Sequence, residues 1–271
     1  MIEVVIPTFK RLNKQITLNS IPDKFRDGVT LVVQPQEEKQ AREIHANLFV
    51  LSGDNIGISQ TRKEIAEEWG CSKNYRHWVL DDDLEILKSE MVDGKIVKTP
   101  VDNVTFQECL DLIEETMDAG FYHGGIGSTL VNPLGKWPFT NNSRILGNVF
   151  YDGQALSETF REIDWILDNA EDYYVCLQLL TRGVPNRVIY KFISNPGLSN
   201  SEGGCSTSRT IENHNIACKK LAEKFPEFVS IKTKVATSGP WKGLERLGVN
   251  GRWKKAYESS QKSSLTEFFN E

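Results

Sequence analysis

The sequence predicts an α/β fold in which a mostly parallel sheet is flanked by helices and followed by an irregular, basic extension. Two observations support this prediction. Strand-like and helix-like segments alternate through the first half of the chain, which favours parallel pairing through right-handed crossovers. No stretch has the composition of a linker, so we expect one domain over residues 1–225, with residues 226–271 packed on it.

The first half supplies the alternating elements. Short apolar, β-branched runs predict strands, and polar or periodic runs predict helices. The predicted strands cover 3–7, 29–33, 48–51 and 77–80, and the predicted helices cover 36–45 and 58–69. Within the second helix Ile58, Ile65 and Trp69 share one face, because they are seven and four residues apart.

Turn and capping signals organise the second half. Asp93 and Gly94 separate two short strand-like segments and predict a hairpin turn. Thr105 and Glu108 predict a capping box for a helix that runs to about residue 119 and stops at Gly120. Further helices are predicted over 170–181 and 210–225, with strands around 145–151 and over 187–192.

Composition limits the classes of protein to consider. The formal net charge is −5, so the molecule as a whole is not a basic nucleic-acid binder, and an anionic partner requires a local patch. No apolar run reaches the roughly 20 residues of a membrane helix, and the first residues lack a secretory pattern. The five cysteines contain no Cys-x-x-Cys pair, which favours reduced thiols and a cytoplasmic location.

Three consecutive aspartates carry the strongest chemical signal. Asp81, Asp82 and Asp83 directly follow an apolar strand, and ligands of open parallel sheets bind beyond the carboxyl ends of strands. On an extended backbone Asp81 and Asp83 would point the same way. Two carboxylates so placed suit Mg²⁺ or Mn²⁺ bound to a diphosphate. The alternative is a solvated acidic turn.

Several motifs together resemble the GT-A glycosyltransferases. Val4-Val5-Ile6-Pro7-Thr8 with Lys10-Arg11 is similar to their first strand and loop, and Asp54 to Arg62 to their Asn-x-Gly…Arg segment. Asp81-Asp82-Asp83 resembles their Asp-x-Asp motif, and Glu171-Asp172 resembles the acidic pair that carries the base of inverting members. The resemblance extends over about residues 1–185 and implies a Rossmann-like GT-A fold.

The resemblance also implies a role for each matching position. Pro7 and Thr8 would line the nucleobase pocket, although Pro7 equally suits the end of an edge strand. The other residues implied to bind a UDP-sugar donor are Arg11, Asn55, Gly57, Arg62, Asp81 and Asp82. Asp172, next to Glu171, would deprotonate the acceptor hydroxyl and so invert the anomeric configuration. A simple helix cap would explain Asn55 and Gly57, and the helix dipole alone would favour Glu171 and Asp172.

The implied Mn²⁺ or Mg²⁺ would be held by Asp83 and Asp81. A third ligand is sought among His77, His123 and His214, and His214 is chosen because many GT-A enzymes use a C-terminal histidine. A surface role is the alternative for a lone helical histidine.

The acceptor is predicted from a basic segment. Seven of the residues from Lys232 to Lys255 are lysine or arginine and one is acidic. Basic residues mixed with tryptophans suit a phosphate backbone and unstacked bases, and a solvated tail is the alternative. The residues expected to contact nucleic acid are Lys242, Arg252, Trp253, Lys254 and Lys255.

A second resemblance points the same way. Gly203-Gly204-Cys205-Ser206, Arg209 and the stretch from Lys219 to Pro226 resemble the TET-associated glycosyltransferases, whose phage members modify hydroxymethylated pyrimidines in DNA. The duplex base would be flipped out to reach the sugar. His123-Gly124-Gly125 and Lys136-Trp137 are the predicted loops near the acceptor.

The predicted function is transfer of glucose or arabinose from a UDP-sugar to 5-hydroxymethylcytosine in phage DNA. We expect no membrane partner, and the oligomeric state stays open. One alternative is a GT-A enzyme acting on protein or cell-surface glycan. The other is a non-catalytic nucleic-acid-binding protein. A nucleotidylyltransferase is disfavoured because no Gly-rich nucleotide loop lies near the N-terminus.

Overall fold

A computed structural model gives the structure of the protein. It describes residues 2–129, 138–196, 204, 209–237 and 239–270, with only the backbone for 262–270. The strands are β1 (Glu3–Pro7), β2 (Thr30–Val33), β3 (Leu48–Val50), β4 (Arg76–Leu80), β5 (Leu84–Val92), β6 (Lys95–Pro100), β7 (His123–Ser128), β8 (Phe139–Asn141), β9 (Asn148–Asp152), β10 (Asn186–Pro196), β11 (Val229–Val235) and β12 (Glu245–Gly251).

Helices flank these strands. They are α1 (Ile16–Ser20), α2 (Asp23–Arg26), α3 (Glu38–Ile44), α4 (Ile58–Ile65), α5 (Asn103–Asp118), α6 (Gly153–Glu162), α7 (Glu171–Thr181), α8 (Ile211–Lys224) and α9 (Trp253–Asn270). A 3₁₀ turn at Pro35–Glu37 precedes α3, and a π-helical segment, Ala66–Ser72, continues α4. Of the helices described, none combines the length and apolar character that a bilayer-crossing segment requires.

The central sheet confirms the α/β prediction. Its strand order is β3-β2-β1-β4-β9-β7-β10-β5-β6, with β8 paired to β10. The first four strands in this order are parallel, and so are β7 and β10. Strand β9 runs antiparallel between β4 and β7, so β4 and β7 point the same way. The carboxyl ends of β1, β2 and β4 therefore meet at one edge.

Burial explains why these short runs form the sheet. Val5 and Ile6 of β1 and Leu31 and Val32 of β2 are fully buried, because helices cover both faces. Phe106 of α5 lies within the main core on one face. Near-continuous apolar runs, rather than alternating ones, are what two-sided burial requires.

Local signals were confirmed at the hairpin turn. Asp93 and Gly94 both have positive φ, 49° and 72°, and β5 pairs with β6 up to Val92 and Lys95. A two-residue turn of this kind matches the strand twist.

The cap of α5 differs from the prediction. The N-cap is Asp102, whose carboxylate accepts hydrogen bonds from the backbone N–H groups of Val104 and Thr105. The Thr105 hydroxyl in turn accepts from the Asp102 N–H at 2.8 Å. Thr105 thus occupies the N3 position, the last of the four capping-box residues, rather than the first, because the Asp102 carboxylate already satisfies the free N–H groups.

The C-terminal extension was predicted to be basic and irregular. It is basic, but its structure is regular. Strands β11 and β12 form an antiparallel hairpin, and α9 follows. The hairpin and α9 share a hydrophobic cluster with α7 and α8 that includes Leu177, Leu221, Val229 and Ala256. The strands are short and many of their residues are polar. Their apolar residues form a buried face only when the hairpin packs on α8, so the sequence pattern alone did not predict these strands.

Candidate functional site

The three aspartates lie in a turn at the carboxyl edge of the sheet. Strand β4 ends at Leu80, and the Asp81 N–H donates to the Gly147 carbonyl at 2.8 Å. The Thr17 hydroxyl of α1 donates to the Asp81 carbonyl and accepts from the Leu84 N–H at 2.8 Å. The backbone has left the extended conformation here, so the argument that paired Asp81 with Asp83 by strand alternation does not apply.

Asp82 and Asp83 converge on Arg11. The Arg11 Nη1 lies 2.8 Å from Asp82 Oδ1 and 2.9 Å from Asp83 Oδ2. Asp82 also accepts from the Thr8 hydroxyl at 2.8 Å, and its side chain is only 6% exposed, against 24% for Asp83. Burial raises the pKa of Asp82, while the Arg11 and Thr8 hydrogen bonds lower it. Asp82 therefore ties the first loop to the turn, and Asp83 faces outward.

Asp81 faces a different cation. It pairs with Arg62 of α4, and its side chain is 40% exposed. Although part of the side chain remains exposed, desolvation of the carboxyl is the largest influence and raises the pKa of Asp81 to about 7, against the opposing pull of Arg62. The neighbouring carboxylates Asp83 and Glu171 also raise the pKa.

Glu171 and Asp172 approach this aspartate from α7. Burial is the main cause that raises the pKa of Glu171 above its ordinary value, and repulsion from Asp172 is the second. Burial also raises the pKa of Asp172, and the Tyr173 N–H, which donates to Asp172 Oδ1 at 2.8 Å, lowers it. Asp81 repels Asp172, so carboxylates from the β4 turn and from the start of α7 face one another. The structure thus brings together the predicted acidic motifs, 90 residues apart in the chain.

The Asn-x-Gly segment meets an acidic residue of the chain itself. The Ser59 N–H, near the start of α4, donates to Asp168 Oδ1 at 2.9 Å. A Cβ on Gly57 would lie 2.6 Å from Asp168 Oδ2. The helix N-terminus, predicted to favour the anionic donor, is therefore capped by the Asp168 carboxylate. Asn55, which precedes this cap, has a positive φ of 55°.

A cluster of amides beside this segment was missed in the sequence. The side chain of Gln34 contacts the Ile56 carbonyl at 3.1 Å and the Asn55 N–H. Gln36 Nε2 donates to Gln34 Oε1 at 3.2 Å. A signal was present, because Gln34-Pro35-Gln36-Glu37 directly follows β2, where the carboxyl-edge rule already directs attention.

Pro7 and Thr8 lie where β1 ends, as expected, and both are buried. The Thr8 hydroxyl donates to Asp82 and accepts from Gln15 Nε2 at 2.9 Å. The hydroxyl thus holds the aspartate turn, and the Thr8 N–H donates to the Val32 carbonyl at 2.9 Å, so neither group is directed at a nucleobase.

Comparison with known proteins assigns the chain to a family. The sequence model described as TET-Associated Glycosyltransferase matches residues 2–194. The chain belongs to the TET-associated glycosyltransferase family. This match spans β1 to β10 and includes both acidic motifs, so the chain is a glycosyltransferase.

Two phage proteins are similar over most of their length. The Beta-glucosyl-HMC-alpha-glucosyl-transferase of Enterobacteria phage T2 is 30% identical over 243 residues, which cover 86% of this chain and 84% of the phage protein. The protein of the same name from Enterobacteria phage T6 has the same values. Among solved structures, UDP-glucose pyrophosphorylase complexed with UDP-glucose aligns with a TM-score of 0.41 and 11% identity, over 83% of this chain and 100% of that one.

His214 of this TET-associated glycosyltransferase does not join the aspartates. Its Nε2 lies 2.8 Å from the Leu247 carbonyl of β12, and its ring packs against Trp241. Burial lowers the pKa of His214, and the neighbouring Arg246 lowers it further. The predicted ligand instead fastens α8 to the hairpin. Among the described residues, no three His, Cys, Asp or Glu side chains form a group arranged to hold a metal ion.

The other two histidines considered as metal ligands are buried in the core. His77 and His123 are 0% and 1% exposed and flank Tyr151. Burial lowers the pKa of His77 to about 4 and that of His123 to about 3. His123 belongs with Gly124 and Gly125 to the buried strand β7, which corrects their prediction as an acceptor loop. A Cβ on Gly124 would lie 2.3 Å from the Phe150 ring, so packing requires glycine.

The residues predicted to contact nucleic acid divide into two groups. Lys242, Arg252, Lys254 and Lys255 are exposed. Trp253 is half-buried, with its ring centroid 5.5 Å from that of Tyr173, so one face of the ring is used in packing. The predicted Lys136, Trp137, Gly203, Cys205 and Ser206 lie outside the described residues. Gly204 is described, and a Cβ there would lie 3.2 Å from the Arg11 guanidinium.

Proposed function

We propose that this glycosyltransferase transfers a sugar, glucose or arabinose, from a UDP-sugar to hydroxymethylcytosine in DNA. The observation that carries the proposal is the 30% identity over 243 residues to phage proteins whose name contains the HMC acceptor. The facing carboxylates of Asp81, Glu171 and Asp172 add the chemistry that such a transfer requires.

The donor is proposed to lie along the carboxyl edge of β1, β2 and β4. Support comes from the amides of Gln36 and Asn55, which the buried Gln34 side chain holds in place and which carry donors and acceptors suited to a pyrimidine edge. Arg62 and Arg11 carry positive charge toward the aspartate turn. A guanidinium suits diphosphate oxygens because its donors form a planar fork.

Asp172 is proposed to be the general base. A buried carboxylate with a raised pKa accepts a proton more readily than an ordinary one, and Glu171 and Asp81 both increase the local negative charge. Direct attack by the deprotonated hydroxyl inverts the anomeric carbon. The word "alpha" in the relatives' name makes the product anomer the decisive readout. An α-linked product from an α-linked UDP-sugar would contradict inversion but not glycosyl transfer.

A divalent cation is proposed to be held by Asp81 and Asp83. Their carboxylates are hard oxygen donors and stay partly exposed beside Arg62 and Arg11, whereas Asp82 is buried between Thr8 and Arg11. Two protein carboxylates leave the rest of the shell to diphosphate oxygens and water. Such an ion would neutralise the charge on the departing nucleoside diphosphate. The residues present therefore fit Mg²⁺ or Mn²⁺, without His214.

The test combines the protein with duplex DNA, Mn²⁺ and a panel of UDP-sugars, followed by mass analysis of the nucleosides. Three duplexes are compared: unmodified, hydroxymethylated, and hydroxymethylated with a β-glucosyl group already attached. We expect a mass increase of one sugar on a hydroxymethylated duplex and none on the unmodified one. Turnover of every UDP-sugar with no modified nucleoside on any duplex would refute the proposal.

The location of this reaction is proposed to be the cytoplasm in which such DNA resides. The alternative acceptors, protein or cell-surface glycan, are tested by the same donor panel on denatured host protein. Labelling of protein but not DNA would select that alternative.

A further inference from the structure

The hairpin β11–β12 has one basic face and one packed face. Side chains opposite one another in an antiparallel pair lie on the same side of the ribbon. Lys234 is opposite Arg246, and Lys232 is opposite Gly248. These three cationic side chains therefore share one face, which we call the ribbon face.

The hairpin is fixed to the protein along the outer edge of β12 and on the face opposite the ribbon face. Asn215 of α8 accepts a hydrogen bond from the Leu247 N–H at 2.8 Å, and His214 contacts the Leu247 carbonyl. Val229 belongs to the cluster that holds α7 and α8 together. The ribbon face thus has a fixed orientation relative to the acidic pair at the start of α7.

Like charges on the ribbon face oppose one another without an acidic partner. Lys234 and Arg246 stand directly across the ladder, an arrangement that destabilises a hairpin. The Lys234 side chain lies across Gly248, where a Cβ would be 2.8 Å from Lys234 Cδ. Neither Lys232, Lys234 nor Arg246 forms an ion pair with a described carboxylate, whereas Arg11 and Arg62 do. The Arg246 guanidinium contacts only a neutral partner, His214 Nε2 of α8 at 3.4 Å, among its described side-chain contacts.

A second unfavourable arrangement adjoins the first. Arg252, Lys254 and Lys255 stand at the start of α9, where the helix dipole disfavours cations, and no acid occupies the first turn. The Arg252 N–H donates to the Phe228 carbonyl at 2.7 Å, which places these residues at the base of the hairpin. The acids close to this surface in sequence are Glu227, Glu245 and Glu258.

We propose that the ribbon face, continued by the start of α9, binds the sugar–phosphate backbone of duplex DNA. This inference rests on the proposed function, which supplies DNA as the acceptor. Residues two apart on a strand are about 7 Å apart, comparable with consecutive phosphates of one DNA strand. A polyanion relieves both unfavourable arrangements at once, and it does so in a protein whose net charge is −5.

The surface is connected to the acidic pair through aromatic packing. Trp253, between Arg252 and Lys254, packs on Tyr173, and Tyr173 follows Asp172 directly. The Tyr173 hydroxyl accepts from Arg144 at 2.7 Å. The start of α9, which continues the ribbon face, is therefore in direct contact with the helix that carries the proposed base.

The experiment compares two matched double variants. Lys232→Gln with Lys234→Gln removes two charges from the ribbon face, and Lys95→Gln with Lys98→Gln removes two from the exposed hairpin strand β6. Binding of a short unmodified duplex, without any UDP-sugar, is followed by fluorescence anisotropy over a range of salt. We expect the ribbon variant to bind about tenfold more weakly than wild type. The salt slope, which is the slope of log affinity against log salt concentration, should be smaller in magnitude by about 2. The β6 variant should match wild type in both.

Thermal unfolding separates binding from folding. The ribbon variant is expected to melt at the wild-type temperature or above, because the repulsion between Lys234 and Arg246 is removed. A wild-type salt slope in the ribbon variant, or an equal loss in the β6 variant, would overturn the inference. Since no donor is present, this result is independent of sugar transfer. Wild-type protein that binds DNA through the ribbon face but transfers no sugar would contradict the proposed function alone.

Discussion

The carboxylate of Asp168 occupies the space where a side chain on Gly57 would begin. A Cβ at Gly57 would lie 2.6 Å from Asp168 Oδ2, and the same carboxylate accepts the Ser59 N–H at 2.9 Å. Asp168 precedes α7 by three residues, and Gly57 is the N-cap of α4. The helix that carries Arg62 and the helix that carries Glu171 and Asp172 are thus joined at their N-termini.

Substitutions at this contact are expected to be non-additive. Gly57→Ala forces the Cβ against the carboxylate and should destabilise the protein by about 2 kcal/mol. Asp168→Ala removes the cap and should cost about 1 kcal/mol. In the double variant the Cβ has room. The loss of unfolding free energy in urea should therefore be smaller for the double variant than the summed losses of the two single variants, by about 1 kcal/mol or more. Additive losses would show that the two residues do not constrain each other.

Asp172→Asn tests the proposed base. The amide cannot accept the proton of the acceptor hydroxyl, so kcat should fall by about 10²- to 10⁴-fold. Binding of UDP, measured by calorimetry, should be unchanged, because Asp172 contacts the Tyr173 N–H and not the proposed donor edge. Glu171→Gln is the neighbouring comparison. If Asp172→Asn turns over at the wild-type rate, another group takes the proton.

Asp83 and Asp82 are expected to respond differently to truncation. Asp83→Ala should lower the melting temperature less than Asp82→Ala, because its side chain is 24% exposed against 6%, and should lose about 100-fold or more of Mn²⁺-dependent turnover. Asp82→Ala should lower the free energy of unfolding by about 2 kcal/mol, because Thr8 and Arg11 lose a buried acceptor. Full activity of Asp83→Ala over a manganese titration would rule out its metal role.

The raised pKa of Asp81 predicts how stability depends on pH. Its pKa is about 7 in the folded protein, against an ordinary value of 3.8, so the folded state favours the protonated carboxyl. This contribution, which is reduced by solvent screening because the side chain is 40% exposed, is fully present below about pH 4 and is lost as pH rises through 7. Unfolding at pH 5 and pH 8 should therefore show a larger loss of stability for wild type than for Asp81→Asn. Asp93→Asn, on the exposed hairpin turn, is the control and should behave as wild type.

Trp253 is expected to act by packing. Trp253→Ala should destabilise the protein by about 2 kcal/mol through loss of its contact with Tyr173. Trp253→Phe keeps an aromatic ring at this contact and should retain DNA affinity within about twofold. A selective loss of DNA binding in Trp253→Phe, at an unchanged melting temperature, would instead make the indole a contact to DNA bases.

The sequence predicted features whose cause is local. The alternating elements, the Asp93–Gly94 turn and the stop at Gly120 follow from residues a few positions apart. The acidic motifs before β5 and at α7 were found because each directly follows, or begins, a regular element. Strand ends and helix starts are set by nearby backbone hydrogen bonding, so short stretches of sequence are enough to predict them.

The partners of these residues were decided by tertiary structure alone. Strand alternation paired Asp81 with Asp83, whereas Arg11 joins Asp82 to Asp83 and Arg62 takes Asp81. Asp168 reaches α4 across 109 positions of the chain. His214 was assigned to a metal by its residue type, but its nitrogen meets a backbone carbonyl of β12. A charged or polar side chain binds whichever group the packed core brings within about 3 Å, and that choice depends on distances that the order of residues does not contain.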